Sequence, residues 1–463
     1  MKYVSTRGTA PALGFADVLL AGLAPDGGLY VPESWPALPP LASLRGRPYA
    51  EVAVEVMWPY VEGDIDRLVF EAMVADAYSS FARPEVCPVV PLGGGLHLLE
   101  LYWGPTLAFK DVALQLVGRL FDQVLTERGR RATILGATSG DTGSAAMDAC
   151  RGLEHLDAVI LFPDGRVSDV QRRQMTTVSE TNCHAVAVAG TFDDCQDLVK
   201  AAFADAEFRD EVDLSAVNSI NWARVMAQVV YYVTAHLEVA DDDEPVTYCV
   251  PTGNFGNILA GWVAKQAGLP VDRLVVASNR NDILTRFFAS GTLEMHEVMP
   301  TTSPSMDIQV SSNLERLLFE VLDRDGARVS DLLGAFRADG VASVPTSALE
   351  ALRSEFDAGR LDDEEAGGVI RRVHDRTGLI LDPHTAVGVG VAERLDGAAG
   401  VPVVCLGTAH PAKFPDAVEA AIGVRPPLPD HLADLFDRPE RIEHIAADLA
   451  DVEALVRRAI ATD

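Results

Sequence analysis

Cysteine is scarce in this chain of 463 residues: Cys87, Cys150, Cys183, Cys195, Cys249 and Cys405 are scattered, with no C-x-x-C pair among them. Such spacing supplies neither a disulfide frame nor a zinc site. Several of the six fall in apolar, strand-like runs, so reduced, buried thiols and no bound metal are expected. Basic residues are also few, 38 Lys and Arg against 68 Asp and Glu, for a formal charge of −30. A field of that sign opposes phosphate backbones and anionic membranes, so neither nucleic acid nor a membrane is an expected partner. An anionic small molecule would need a locally basic pocket. Long apolar runs are missing as well, with Gln228 interrupting even Val225 to Ala235, and the first residues hold no basic stretch followed by an apolar core. The expectation is a soluble, cytoplasmic protein.

What is present is enough chain for two or three domains. Residues 1–85 read as short helices and loops, with the turn-rich Ala24-Pro25-Asp26-Gly27-Gly28 and prolines between Pro36 and Pro40, and suggest a small N-terminal domain. From Pro88 onward, apolar runs of strand length alternate with amphipathic stretches of helix length, the pattern of an α/β fold with parallel sheet flanked by helices. Strands are expected at 132–135, 158–162, 185–189, 246–250, 274–277 and 401–406. Helices are expected at 143–150, 168–174, 194–204, 222–237, 257–266 and 415–421. The main region is bounded as 86–425, two α/β subdomains with a site between them, and 426–463 is expected to be a C-terminal helical segment.

One stretch stands out. Gly104-Pro105-Thr106-Leu107-Ala108-Phe109-Lys110-Asp111 delivers a lysine to the start of a helix whose next residues include Val112, Leu114, Leu116 and Val117. Two readings fit that address. A partly apolar setting disfavours the charged amine and prepares it to attack a carbonyl, whereas an ordinary lysine would lay its stem along the helix and reach for water.

Other loops bear on the choice, because ligands of open parallel sheets collect where strands lead into helix N-termini. Gly136-Ala137-Thr138-Ser139-Gly140-Asp141-Thr142-Gly143 offers hydroxyls and backbone N–H groups suited to an anion, or serves as a strand-to-helix turn capped by Asp141 or Thr142. Pro251-Thr252-Gly253-Asn254-Phe255-Gly256-Asn257 pairs glycines with a following helix start, as a phosphate cup needs. Its spacing matches neither G-x-G-x-x-G nor G-x-x-x-x-G-K-[ST], which favours a small phosphorylated cofactor over a dinucleotide or ATP. A third loop, Gly407-Thr408-Ala409-His410-Pro411-Ala412-Lys413-Phe414-Pro415, adds a hydroxyl after a late strand.

An amine, a phosphate cup and a hydroxyl loop together suit pyridoxal 5′-phosphate. The chain here resembles threonine synthases of the fold-type-II pyridoxal-phosphate enzymes, in the longer class with an extra N-terminal domain. Gly104 to Asp111, Gly136 to Ala145, Asn218-Ser219-Ile220-Asn221-Trp222-Ala223-Arg224, Gly253 to Asn257, Ser305-Met306-Asp307-Ile308 with Ser311-Ser312-Asn313, and Gly407 to Pro415 carry the resemblance. It implies that Lys110 binds the cofactor aldehyde as a Schiff base and shuttles protons. Gly253, Asn254, Phe255, Gly256 and Asn257 would hold the cofactor phosphate, and Thr408 would face the pyridine nitrogen. Ser139, Asp141 and Thr142 would meet the amino-acid part of the substrate, with Asn221 and Arg224 near its phosphate; Arg224 equally suits a structural ion pair. Ser311, Ser312 and Asn313 are further candidates for that second phosphate. His384 and His410 receive no firm role. The implied reaction turns O-phospho-L-homoserine and water into L-threonine and phosphate by γ-elimination and β-addition. A threonine or serine dehydratase, or a β-replacement enzyme of the same fold, is the rival, and monomer or homodimer is left open.

Overall fold

The computed structural model describes residues 1–215, 219–395 and 400–460; Asn218, the first residue of one expected motif, lies outside them. Two sheets organise the molecule. The first has five parallel strands in the order Glu443–Ala446, Cys183–Ala189, Leu156–Pro163, Ala132–Ala137 and Leu214–Ser215. The second has six, Phe356–Arg360, Val271–Ser278, Val246–Pro251, Val403–Gly407, Leu96–Glu100 and Val89–Gly93, parallel except where the last two form an antiparallel edge. The six strands expected from the sequence are therefore real but divide between the sheets, three to each. Leu156–Pro163 is buried at every position, which is why it reads as a continuous apolar run rather than an alternating one.

The expected helices are present as Asp141–Cys150, Asp169–Thr176, Phe192–Ala204, Trp222–Val239, Gly256–Gln266 and Pro415–Ile422. Several begin where the sequence supplies a cap: Ser168 accepts the Gln171 N–H, Thr191 that of Asp194, and Asn221 that of Ala223. The segment 426–463 departs from expectation. It carries the helix Leu449–Ile460 but also the strand Glu443–Ala446, which extends the five-stranded sheet beside Cys183–Ala189. Among the described residues no helix is long and apolar enough to cross a membrane, and all six cysteines are buried and unpaired.

The N-terminal part folds as an antiparallel pair, Tyr3–Ser5 with Tyr30–Pro32, and the helices Tyr49–Val61 and Arg67–Ser79. Its aromatic residues close on the fully buried Trp222: the rings of Tyr3, Trp35 and Tyr60 lie 6.1, 5.8 and 5.8 Å from it. Polar ties reach further. Thr6 and Arg7 both bond to the Glu315 carboxylate, and the Arg316 guanidinium donates to the Tyr30 and Ile220 carbonyls and to Asn313 Oδ1. The N-terminal part thereby braces residues 311–316, directly behind the Gly253–Asn257 loop.

Candidate active site

The helix Lys110–Arg128 begins at Lys110 itself, and the loop before it is held from two sides. Within the loop, Asp111 accepts the Thr106 N–H and hydroxyl. The turn closes so tightly that a Cβ on Gly104 would fall 2.5 Å from the Asp111 Cβ, which only glycine permits. Across the loop, the Phe109 N–H donates to the Thr408 carbonyl and the His410 N–H to that of Leu107, a short antiparallel bridge between Ala108 and Ala409. Two stretches nearly three hundred residues apart thus place Lys110 beside Thr408.

These residues line one cleft with Thr142, Arg224, Asn254, Gly256, Asn257, Ser305 and His384. Lys110 is buried in it, which pushes its amine below the usual lysine range; Asp141 opposes that shift, whereas the charges of Lys413 and Arg224 add to it. The Lys110 Nζ donates to Asp141 Oδ2 at 3.2 Å. Burial of this kind favours the amine reading of the lysine over the solvated one.

The Gly253–Asn257 loop leads into the helix Gly256–Gln266 through Phe255, whose φ of 62° is a left-handed conformation costly for a bulky residue. Its ring is buried near those of Phe288 and Phe356, so the backbone rather than the side chain is what this residue offers the cleft. The first N–H groups of a helix have no partner inside it, which makes this terminus receptive to an anion. Asn257 Oδ1 accepts from the Tyr231 and Tyr232 hydroxyls, while its buried Nδ2 has no hydrogen-bond partner among the described residues. Gly253 is needed for a different contact: a Cβ there would meet the Ser305 carbonyl oxygen at 2.7 Å.

Arg224 is 4% exposed, and its Nε and Nη1 likewise have no partner among the described residues. Burial alone pushes the guanidinium down to about 10. An ion-pair role is thus unsupported, and an unpaired cation beside a helix N-terminus is what an incoming phosphate requires.

Several expected site residues are placed elsewhere. Asn221 caps the Trp222–Val239 helix with its Oδ1 and donates its Nδ2 to the Leu19 carbonyl, so both ends of its carboxamide are committed and it leaves the candidate substrate contacts. Ser139 is exposed and outside the cleft lining. Asp141 does not wait for a substrate: besides Lys110 it pairs with Lys413 at 3.0 Å and accepts from Gln171 and Ser305. Ser311 donates to the Gly253 carbonyl and Asn313 to the Ser219 and Asn254 carbonyls, so both shape the loop from behind.

Three groups entered without a sequence signal. Lys413 is fully buried, with its Nζ on the Thr106 carbonyl at 2.7 Å. Asp382 accepts from His384 Nδ1 at 2.8 Å, which leaves Nε2 to accept the Ser305 N–H. The same Asp382 holds the Thr385 hydroxyl, whose oxygen accepts the Thr408 N–H, so one carboxylate orients two residues of the cleft wall. His410, by contrast, accepts from the Ala412 N–H at the edge of the Tyr102 and Trp103 rings and is pushed down to about 4, chiefly by burial. A wider groove lies behind Pro105 and Thr106, but its arginines are already engaged, Arg119 with Asp76, Arg151 with Glu180, Arg438 with Asp434 and Arg441 with the Ser179 and Glu180 carbonyls.

Comparison with known proteins covers the whole chain. The family model described as "Pyridoxal-phosphate dependent enzyme" matches residues 90–332, "Threonine synthase N terminus" matches 2–78, and "Threonine synthase, C-terminal" matches 385–456. A threonine synthase of Pseudomonas aeruginosa is 53% identical over 98% of both chains. The solved structure of a threonine synthase from Brucella melitensis, described as PLP bound, superposes with a TM-score of 0.97 at 53% identity and covers 99% of both chains. That from Escherichia coli gives 0.82 at 30% identity, covering 99% of this chain and 100% of its own. Matches of this identity and extent, together with a buried lysine at the mouth of a phosphate-receptive loop, establish that the chain belongs to the threonine synthase family of pyridoxal-phosphate-dependent enzymes.

Proposed function

We propose that the protein converts O-phospho-L-homoserine and water to L-threonine and phosphate with pyridoxal 5′-phosphate as cofactor. The observation that carries this reading is the pair of phosphate-receptive features in one cleft: the helix start at Gly256 and the buried, unpartnered guanidinium of Arg224. A dehydratase acting on threonine or serine needs only one phosphate site.

The residues present fit the cofactor. A buried amine, an unpartnered Asn257 Nδ2 at a helix N-terminus and the hydroxyl residue Thr408 share the cleft; among the described residues the nearest carboxylate, Asp141, stands behind Lys110 and Ser305 and not beside Thr408. When bound, pyridoxal phosphate supplies a conjugated ring that stores the electron pair left when a proton leaves the substrate carbon. Lys110 is assigned the covalent link to the cofactor and, through Nζ, the movement of the α-proton. Gly253, Asn254, Phe255, Gly256 and Asn257 are assigned its phosphate, chiefly through backbone N–H groups. Thr408, fixed through Thr385 and Asp382, is assigned the pyridine nitrogen, where a hydroxyl leaves that nitrogen less firmly protonated than a carboxylate would. Arg224 and Thr142 are assigned the substrate phosphate, with Ser139 outside at the rim. Ser305 contacts both Asp141 and His384 and so joins the two sides of the cleft.

The reading also divides the chain into 1–85, 86–425 and 426–463, and places the protein in the cytoplasm, in keeping with six free thiols. Borohydride reduction of the yellow holoprotein followed by peptide mapping tests the assignment of Lys110. The cofactor should be fixed to this residue, and Lys110→Ala should lose both the visible absorption and nearly all turnover. Cofactor fixed to another lysine would overturn the reading.

A further inference from the structure

Lys413 is as buried as any residue in the protein, yet nothing in the reaction asks for a second lysine here. Its Nζ donates to the Thr106 carbonyl at 2.7 Å and to Ser144 Oγ at 3.5 Å, and forms an ion pair with Asp141 Oδ1 at 3.0 Å. Two hydrogen bonds and an ion pair suit an ammonium group. Lys110 Nζ, in contrast, has one hydrogen bond among the described residues, to Asp141 Oδ2 at 3.2 Å.

Charge balance points the same way. Among the described residues Asp141 is the one carboxylate in contact with either lysine, so a doubly protonated pair would share a single direct counter-charge. Arg224 adds a cation from the Trp222–Val239 helix, and the neutral His410 lies in the Lys413 turn. His384 faces Asp141 but is itself tied to Asp382. Asp111 feels the Lys413 charge without touching it; its carboxylate accepts from Thr106 and is pushed up to about 6, chiefly by burial, so at neutral pH it adds a negative charge on the Lys413 side. The negative charges therefore favour an ammonium at Lys413, and its two hydrogen bonds against one make Lys110 the lysine that gives up its proton.

We infer that Lys413 is the standing counter-ion of Asp141 and so a positioning residue for Lys110: it holds the buried carboxylate's charge, which leaves the Lys110 amine uncharged and free to leave that carboxylate for a carbonyl. The inference rests on Lys110 as the cofactor lysine. It also gives the Asp141 site a purpose beyond substrate binding, because without Lys413 the carboxylate would claim Lys110 as its ammonium partner. Through Thr106, the same Nζ ties the Lys110 loop to the start of the Asp141–Cys150 helix.

Trace acetylation with acetic anhydride tests this in the cofactor-free protein, since only the uncharged amine reacts. Labelling of Lys110 is read by mass spectrometry across pH. In the parent protein its midpoint should lie below that of surface lysines. In Lys413→Met it should rise by about one pH unit or more, a tenfold change in free amine at a given pH. In the double variant Lys413→Met/Asp141→Asn, which leaves no unpaired buried carboxylate and so suits folding even where the single variant fails, it should return to or below the parent value. An unchanged or lowered midpoint in Lys413→Met, or a raised one in the double variant, would overturn the inference. Pyridoxal phosphate should shield Lys110 from the label in the parent. Failure of that shielding would count against Lys110 as the cofactor lysine and leave the midpoint comparison intact.

Discussion

Replacing Arg224 by Met should make the cofactor-free protein more stable and a worse catalyst. Burial pushes the guanidinium well below the usual arginine range, down to about 10, and among the described residues no neighbouring charge or hydrogen bond offsets it. At 1.36 kcal/mol per unit, that displacement means the folded protein disfavours the charged arginine by about 3 kcal/mol at neutral pH. Methionine keeps an unbranched stem and removes the charge, at a packing cost of about 1 kcal/mol. The expected net gain is about 1–2 kcal/mol, read from urea unfolding of the cofactor-free proteins. Inorganic phosphate should stabilise the parent and have a much smaller effect on the variant. In turnover, loss of a charge-assisted contact worth about 1.5–3 kcal/mol should lower kcat/KM for O-phosphohomoserine about 10- to 150-fold, mainly through KM. The visible spectrum of the bound cofactor should not change. Lower stability by more than about 1 kcal/mol would refute the reasoning by showing that the guanidinium has partners in the fold. An altered cofactor spectrum would show that Arg224 serves the cofactor phosphate instead of the substrate's.

Gly256→Val brings a branched side chain to the first turn of the Gly256–Gln266 helix, where a Cβ alone would already sit 3.3 Å from Asn313 Nδ2. Cofactor retention, measured by dialysis against buffer, should fall at least tenfold while the thermal transition of the cofactor-free form moves by only a few degrees; unchanged retention would show the loop to have been misassigned. His410 has a folded pKa of about 4 against an ordinary 6.5, so folding favours its neutral form. That contribution is complete above about pH 6.5 and is lost as the pH falls from there toward 4, by at most about 3 kcal/mol. His410→Asn, which keeps an acceptor for the Ala412 N–H, should show a shallower loss of stability over that window in urea titrations.

The elements were legible where their residues answer to local rules. Leu156–Pro163 is a buried parallel strand and reads as one over 158–162, and the helices were legible from their amphipathic pattern, while their caps Ser168 and Thr191 emerged with the structure. The glycine loop and Lys110 were legible because each needs an unusual backbone or an unusual address. Asn221 misled for a physical reason: asparagine before an apolar helix satisfies the capping rule as well as it would suit a ligand, and the structure uses it as a cap. The strand Glu443–Ala446 has one partly buried apolar residue and is exposed elsewhere, so only its pairing with Cys183–Ala189 makes it a strand. Lys413 and Asp382 were beyond local reading because their partners, Thr106 and Asp141 for one and His384, Thr385 and indirectly Thr408 for the other, meet only when the loops of both sheets converge.

Incubation of the holoprotein with O-phospho-L-homoserine in water enriched in heavy oxygen, following phosphate and amino acid together, tests the central claim most directly. The account predicts one phosphate released for each L-threonine formed, with the solvent's oxygen in the threonine hydroxyl. Formation of 2-oxobutyrate and ammonia from threonine, with no phosphate released from phosphohomoserine, would contradict it and place the protein among the dehydratases of the same fold.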